Sequence, residues 1–135
     1  MALFLGISHI AIAVPDIEAV WKQYEQLGYT ERSDGIVRAE EFGVYAKVIC
    51  LGESVLELLS PLEDGKDCPG TPKVESGRYS LDHICYLVEN LDEAAAQLRK
   101  SRFVPITTPK VSPVWGKRAV LLANRKMGVI ELMEA

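Results

Sequence analysis

The stretch that decides the fold is residues 8–16, SHIAIAVPD, in which a histidine stands in an apolar run that leads into a helix-start signal. The bulky side chains Ile10, Ile12 and Val14 alternate with His9 and two alanines. Alternation with a period of two is typical of a β-strand with one apolar face, so the histidine points away from that face. The closing Pro-Asp pair ends the strand and supplies an N-cap for a following helix.

This stretch has a counterpart in the second half of the chain. Residues 81–90, LDHICYLVEN, also place a histidine early in an apolar strand that precedes a helix cap. His83 lies 74 positions after His9, and the same offset relates Glu131 to Glu57. Because these are the only two histidines in the chain, the sequence indicates two copies of one unit.

Each copy has the pattern of a β-α-β-β-β unit. In the first, apolar positions with helical spacing follow the cap as far as Gly28, and in the second a similar helix follows Asn90. The predicted strands that come after the helices are residues 32–38, 44–51 and 54–59 in the first unit and 103–106, 119–123 and 128–133 in the second. Residues 107–118, rich in proline and carrying one tryptophan, indicate a loop that covers a pocket.

The length of 135 residues and the hydrophobic content of 48% predict a single domain. We expect a module of residues 1–62, a linker of residues 63–80 rich in Pro and Gly, and a module of residues 81–135. Each module has to bury a face of its sheet. The predicted fold class is therefore α+β, with the paired modules forming a curved mixed sheet around a cleft.

Composition narrows the classes of function. A net charge of −4 and a pI of about 5.2 argue against nucleic-acid binding and against a basic membrane-binding surface. The three cysteines have no CxxC spacing, which suits a reducing cytosol, and neither an export signal nor a membrane span is visible. We expect a cytoplasmic protein. From Arg99 onward basic residues dominate, which suits a local anionic ligand.

The repeated histidine and glutamate positions predict a metal site. His9, Glu57, His83 and Glu131 form two equivalent pairs, and period-two geometry can turn all four toward the cleft if the strands are adjacent. A histidine or a glutamate in a strand is usually structural when it stands alone, but here the pairs recur in register. Two imidazoles and two carboxylates suit one divalent ion, Zn, Ni, Co or Mn, with positions left open for substrate.

These motifs resemble the vicinal oxygen chelate superfamily, which includes glyoxalases, bleomycin-resistance proteins and dioxygenases. The resemblance lies in HIAIAVPD at residues 9–16, ELLSPL at residues 57–62, DHI at residues 82–84 and VIEL at residues 129–132, and it covers nearly the whole chain. It implies paired βαβββ modules and the same four metal ligands. Residues 40–44 (EEFGV), 56–62 (LELLSPL) and 116–122 (GKRAVLL) look closest to methylmalonyl-CoA epimerase-like proteins.

The epimerase resemblance implies a mechanism. Glu41 and Glu131 would be the acid/base pair that removes and returns a proton next to a metal-chelated carbonyl. Trp115, Lys117 and Arg118 lie on the loop, and we expect them to contact an anionic substrate. The resemblance also implies a homodimer. The turn at residues 123–128 is shorter than the corresponding turn of the epimerases, and Phe42 stands where they usually have Gln.

Two alternatives stay open. A glyoxalase I-type lactoylglutathione lyase uses the same ligand set for an isomerisation, so the substrate would be a small molecule such as a coenzyme A or a glutathione thioester. A metal-free protein that binds a drug or metabolite is the other alternative. The four intact ligands disfavour it.

Overall fold

The computed structural model describes residues 3–62 and 80–135, and both halves contain the same series of elements. The predicted linker, apart from its last residue, lies outside the described residues. The first half comprises β1 (Phe4–Ala13), α1 (Ile17–Gln26), β2 (Thr30–Glu31), β3 (Val37–Ala39), a 3₁₀ turn (Glu40–Phe42), β4 (Val44–Leu51) and β5 (Ser54–Pro61). The second comprises β6 (Ser80–Val88), α2 (Leu91–Arg99), β7 (Val104–Pro105), β8 (Lys110–Val111), β9 (Arg118–Asn124) and β10 (Gly128–Glu134).

The strands of the described residues form one mixed sheet, in the order β2-β4-β5-β1-β6-β10-β9-β7, with β3 beside β4 and β8 beside β9. β1 is parallel to β5, and β6 is parallel to β10. β1 and β6 are antiparallel neighbours at the centre, so the two halves join within one chain. The predicted α+β class and the mixed sheet are confirmed.

Both helices begin where the sequence predicts. Asp16 and Asn90 are in extended conformation, and their side chains accept hydrogen bonds from the backbone N–H of Ala19 (3.3 Å) and Glu93 (3.0 Å). These bonds satisfy donors that have no partner inside the helix. At α2, the carboxylate of Glu134 accepts a further bond from the Leu91 N–H.

The helices cover the outer face of the sheet, because the bulky apolar residues of each strand point that way. α1 packs on a cluster that contains Val14, Ile49 and Leu58, and α2 packs on one that contains Leu122 and Leu132. The inner face carries mostly smaller residues: its buried clusters contain Ala11, Ala39, Ala46, Cys85 and Ala119 together with Val44, Leu59 and Met133. Small side chains on one face leave room for a cleft there.

The structure corrects the predicted strand at residues 32–38. The chain forms two separate strands, β2 and β3, because the Ser33 hydroxyl donates to the Gly35 carbonyl and accepts from the Val48 N–H, both at 2.9 Å. Gly35 has a φ of 71°, in the left-handed region that glycine adopts without steric cost. These features bend the chain away from an extended path.

The predicted loop at residues 107–118 includes a two-residue strand, β8, paired with β9. Among the described residues, neither helix has the length or the hydropathy of a membrane span.

Replacing Leu122 by Ala should lower the free energy of unfolding by about 2–5 kcal/mol, because the side chain is fully buried under α2 and its loss leaves a cavity. Urea denaturation followed by circular dichroism measures the change. Val104→Ala is the matched control, since Val104 is 63% exposed and should change stability by less than about 0.5 kcal/mol. Equal effects of the two variants would contradict the assigned core.

Candidate metal centre

Four buried side chains meet at the centre of the inner face. His9 on β1, Glu57 on β5, His83 on β6 and Glu131 on β10 each offer a ligand atom, and these atoms all lie within 4.8 Å of one another. The four strands are consecutive in the sheet. The structure thus brings together all four residues that the sequence predicts as ligands.

The register of the two parallel strand pairs explains this convergence. Glu57 lies opposite Ala11, two residues after His9, and Glu131 lies opposite Cys85, two residues after His83. Residues two apart on a strand point to the same face, so each glutamate comes to the same side as its histidine. The antiparallel β1–β6 pair, with Ala11 opposite His83, then brings the two pairs together.

The ligand atoms are close to one another but poorly paired. His9 Nε2 lies 3.4 Å from Glu57 Oε1 and 3.3 Å from Glu131 Oε1, and His83 Nε2 lies 3.3 Å from the same Glu131 oxygen. Nε2 of both histidines and Oε1 of Glu131 are buried without a hydrogen-bond partner. Buried polar atoms are rarely left unpaired, and a bound cation would satisfy all three. The donor set therefore fits a divalent metal.

The residue before each histidine orients its ring. His9 Nδ1 contacts the Ser8 hydroxyl at 3.0 Å, and His83 Nδ1 contacts Asp82 Oδ2 at 2.6 Å. Holding one ring nitrogen from outside leaves the other to face the site. Ser8 and Asp82 are not among the residues predicted from the sequence, although they are separated by the same 74 positions as the histidines. That offset is the signal that could have found them.

The mutual contacts shift the ionisation of the cluster. Burial acts to lower the pKa of His83, but its hydrogen bond to Asp82 and the nearby Glu131 carboxylate outweigh burial and raise the pKa to about 10. Burial likewise acts to raise the pKa of Glu131, and the two histidines outweigh it and lower the pKa to about 2. Attraction between the histidines and Glu131 thus offsets the burial of these groups.

The pKa values of three other buried groups at the site are also raised. Burial opposes the charged form of His9, yet Glu131 and Glu57 leave its pKa raised. For Asp82, burial raises the pKa in spite of the bond to His83. Burial, together with the nearby Glu131, also raises the pKa of the Cys85 thiol, so Cys85 is an inert neighbour rather than a nucleophile.

A largely apolar pocket opens above the ligand cluster. The ligands Glu57, His83 and Glu131 form part of its lining. The apolar wall is formed by Ala39, Phe42, Val44, Ala46, Leu59, Val114 and Leu121. A pocket with a few polar groups on an apolar wall is typical of small-molecule sites.

The predicted loop contributes Trp115 to the site. The Trp115 ring stacks on the His9 ring, with a centroid distance of 4.2 Å and an interplanar angle of 10°. Its indole N–H donates to Glu57 Oε2 at 2.9 Å. Trp115 therefore contacts two of the four ligand residues.

The remaining predicted residues lie outside the pocket lining. Glu41 is exposed on the 3₁₀ turn beside Phe42, and its backbone carbonyl accepts a 3.5 Å hydrogen bond from Lys110. Lys117 is exposed, and Arg118 points to the outer face, where its guanidinium lies 3.3 Å from Asp92 Oδ1. Their assignments as base and substrate contacts stay predictions.

Known proteins share this architecture. Residues 8–120 match the model of the Glyoxalase/Bleomycin resistance protein/Dioxygenase superfamily. Mitochondrial methylmalonyl-CoA epimerase of Homo sapiens is 30% identical over 132 residues, which are 96% of this chain and 73% of that protein. The ethylmalonyl-CoA/methylmalonyl-CoA epimerase of Cereibacter sphaeroides is 36% identical over 97 residues, 70% of this chain and 69% of that protein.

A solved structure of methylmalonyl-CoA epimerase in complex with methylmalonyl-CoA and NH4+ has a TM-score of 0.79 and 23% identity, covering 98% of this chain and 95% of that one. The extent of these matches, together with the paired modules and the central histidine and glutamate residues, assigns the family. The chain belongs to the glyoxalase/bleomycin resistance/dioxygenase superfamily and, within it, to the methylmalonyl-CoA epimerase family.

Proposed function

We propose that this protein is a metal-dependent epimerase that moves a proton at the carbon next to the carbonyl of a coenzyme A thioester. The observation that carries the proposal is the set of unpaired ligand atoms of His9, His83 and Glu131, with Glu57 beside them, at the floor of the pocket. The relatives named above support the reaction class and the substrate class.

In this proposal, His9, Glu57, His83 and Glu131 hold one divalent ion, with Zn, Ni, Co and Mn all compatible with the two imidazoles and two carboxylates. When bound, the ion supplies Lewis acidity toward a substrate carbonyl. Ser8 and Asp82 keep the two rings turned so that Nε2 faces inward. The apolar walls of the pocket exclude water and contact the acyl group.

Two carboxylates are proposed to move the proton. Glu131 is buried at the floor, and Glu41 stands on the turn before β4, next to Phe42 in the pocket wall. The 74-residue repeat supports the placement of Glu41 at the rim of the pocket. β4 and β9 begin 74 positions apart, and the residue that corresponds to Glu41 in the second half is Trp115, which lies over the site. One carboxylate would remove the proton and the other return it.

Basic residues near the rim support an anionic substrate. The Lys110 ammonium lies 5.0 Å from the Phe42 ring, and Lys117 is exposed on the same loop as Trp115. Positive charge at a pocket entrance attracts the phosphates of a coenzyme A thioester.

We also propose that the chain is a single domain of two modules, that it forms a homodimer and that it is cytoplasmic. Sedimentation tests the oligomeric state, and cell fractionation tests the location.

The purified protein should bind one divalent ion per chain. His83→Ala should abolish stoichiometric binding because it removes one of the four ligands. Asp82→Asn should weaken the affinity by about 10-fold, since the amide holds His83 Nδ1 less strongly than the carboxylate does. Metal analysis and titration with Co²⁺ measure both effects. Asp92→Asn is the matched control: its carboxylate is on the outer face, and it should bind as the unmodified protein does. No stoichiometric metal in the unmodified protein would refute the proposal.

Incubation of a 2-methylmalonyl thioester of coenzyme A in deuterated water should give deuterium at the α-carbon, detected by mass spectrometry. Glu41→Gln should slow exchange by about 10²–10⁴-fold without changing metal affinity, because it removes a base and not a ligand. Glu40→Gln is the adjacent control, since the Glu40 carboxylate is paired with Arg38 at 2.6 Å. Loss of exchange in Glu40→Gln alone would reassign the base. No exchange in the unmodified, metal-loaded protein would refute the epimerase reaction but not the metal site.

A further inference from the structure

The indole of Trp115 contacts both ligand residues contributed by the first half of the chain. One contact is the 2.9 Å hydrogen bond to Glu57 Oε2, and the other is the parallel stack on His9. Glu57 is 5% exposed and His9 is 1% exposed, so neither contact competes strongly with water. Trp115 is therefore built into the site and is more than a wall of the pocket.

The two carboxylate oxygens of Glu57 have different partners. Oε2 accepts from Trp115, and Oε1 is the oxygen that lies 3.4 Å from His9 Nε2 among the ligand atoms. A carboxylate can do both at once because each of its oxygens is an acceptor. The stack acts on the other ligand, fixing the plane of the His9 ring while Ser8 contacts its Nδ1.

We propose that Trp115 is a positioning residue of the metal site, which fixes Glu57 and His9 in the orientation that binds the ion. This inference rests on the proposed metal-dependent function. The second-half ligands lack this support: His83 is oriented by Asp82, as His9 is by Ser8, but the His9 ring meets the His83 ring edge-on, with centroids 6.1 Å apart and an interplanar angle of 73°. The two halves of the site are thus held by different means.

If Trp115 orients Glu57, replacing Glu57 by Gln should disturb the site through this hydrogen bond. A glutamine there has one acceptor oxygen and one NH₂ group, so a single acceptor is left for the two positions that Oε2 and Oε1 occupy toward the indole and the ligand atoms. Either the NH₂ group turns toward the ion or it meets the indole N–H, and both arrangements are unfavourable. Removing the indole N–H should free the amide oxygen to act as a ligand.

The test is a double-mutant cycle on the full chain, with Co²⁺ affinity measured by isothermal titration for the unmodified protein, Glu57→Gln, Trp115→Phe and the double variant. Trp115→Phe keeps a ring for stacking but removes the N–H, and we expect Co²⁺ binding to weaken by about 10-fold. Glu57→Gln should weaken binding by about 10-fold more when Trp115 is present than in the Trp115→Phe background. The visible spectrum of bound Co²⁺ should change in Trp115→Phe, since the Glu57 ligand is displaced.

Trp21→Phe is the matched control, because Trp21 is the other tryptophan and lies on α1, buried against the outer face of the sheet. It should leave Co²⁺ affinity and the spectrum unchanged. Trp115→Leu, which lacks both the donor and the ring, should bind Co²⁺ at least as weakly as Trp115→Phe, and circular dichroism reports whether each variant is folded. Glu57→Gln effects that agree within about two-fold in the two backgrounds would overturn the role of Trp115 while leaving the metal site in place. Failure of the unmodified protein to bind Co²⁺ would overturn both.

Discussion

Antiparallel pairing of β1 with β6 joins the two halves of the sheet and sets Ala11 opposite His83. Each of these strands has a parallel neighbour that carries a glutamate two residues beyond the level of the histidine. A shift of one residue in any of these three pairings would turn a ligand to the helix-covered face. The bulky outer residues prevent such a shift, since it would also move Leu58 or Leu132 out of the core.

The strand pairing also brings several ionisable side chains together in the buried inner face of the sheet. Two imidazoles and the carboxylates of Glu57, Asp82 and Glu131 lie on the inner face, each at most 7% exposed. Burial penalises every charged form, and only mutual attraction offsets the penalty, as the depressed pKa of Glu131 and the raised pKa of His83 indicate. Such a cluster contributes little to stability compared with an apolar core of the same volume. Its presence is better explained by function.

The two halves of the chain share their strand order and registers but differ in the segments that border the pocket. Strand order, helix caps and the His–Glu registers recur in both halves. The segments before β4 and β9 differ: one is a 3₁₀ turn that carries Glu41, and the other is a longer loop that seats Trp115 on His9. A scaffold with two equivalent halves thereby has two different segments at the rim of its pocket.

Sequence alone determined the paired modules, both helix starts and the four candidate ligands, because these features depend on local period and on the 74-residue offset between His9 and His83. It misplaced the strand at residues 32–38, since one of the two Ser33 hydrogen bonds that bend the chain there comes from the Val48 N–H on another strand. Only the tertiary structure decided that the halves pair within one chain, that Arg118 faces outward to Asp92, and that Trp115 donates to Glu57. These are contacts between residues far apart in the chain, and neither the periodicity nor the composition of a sequence indicates which distant residues meet.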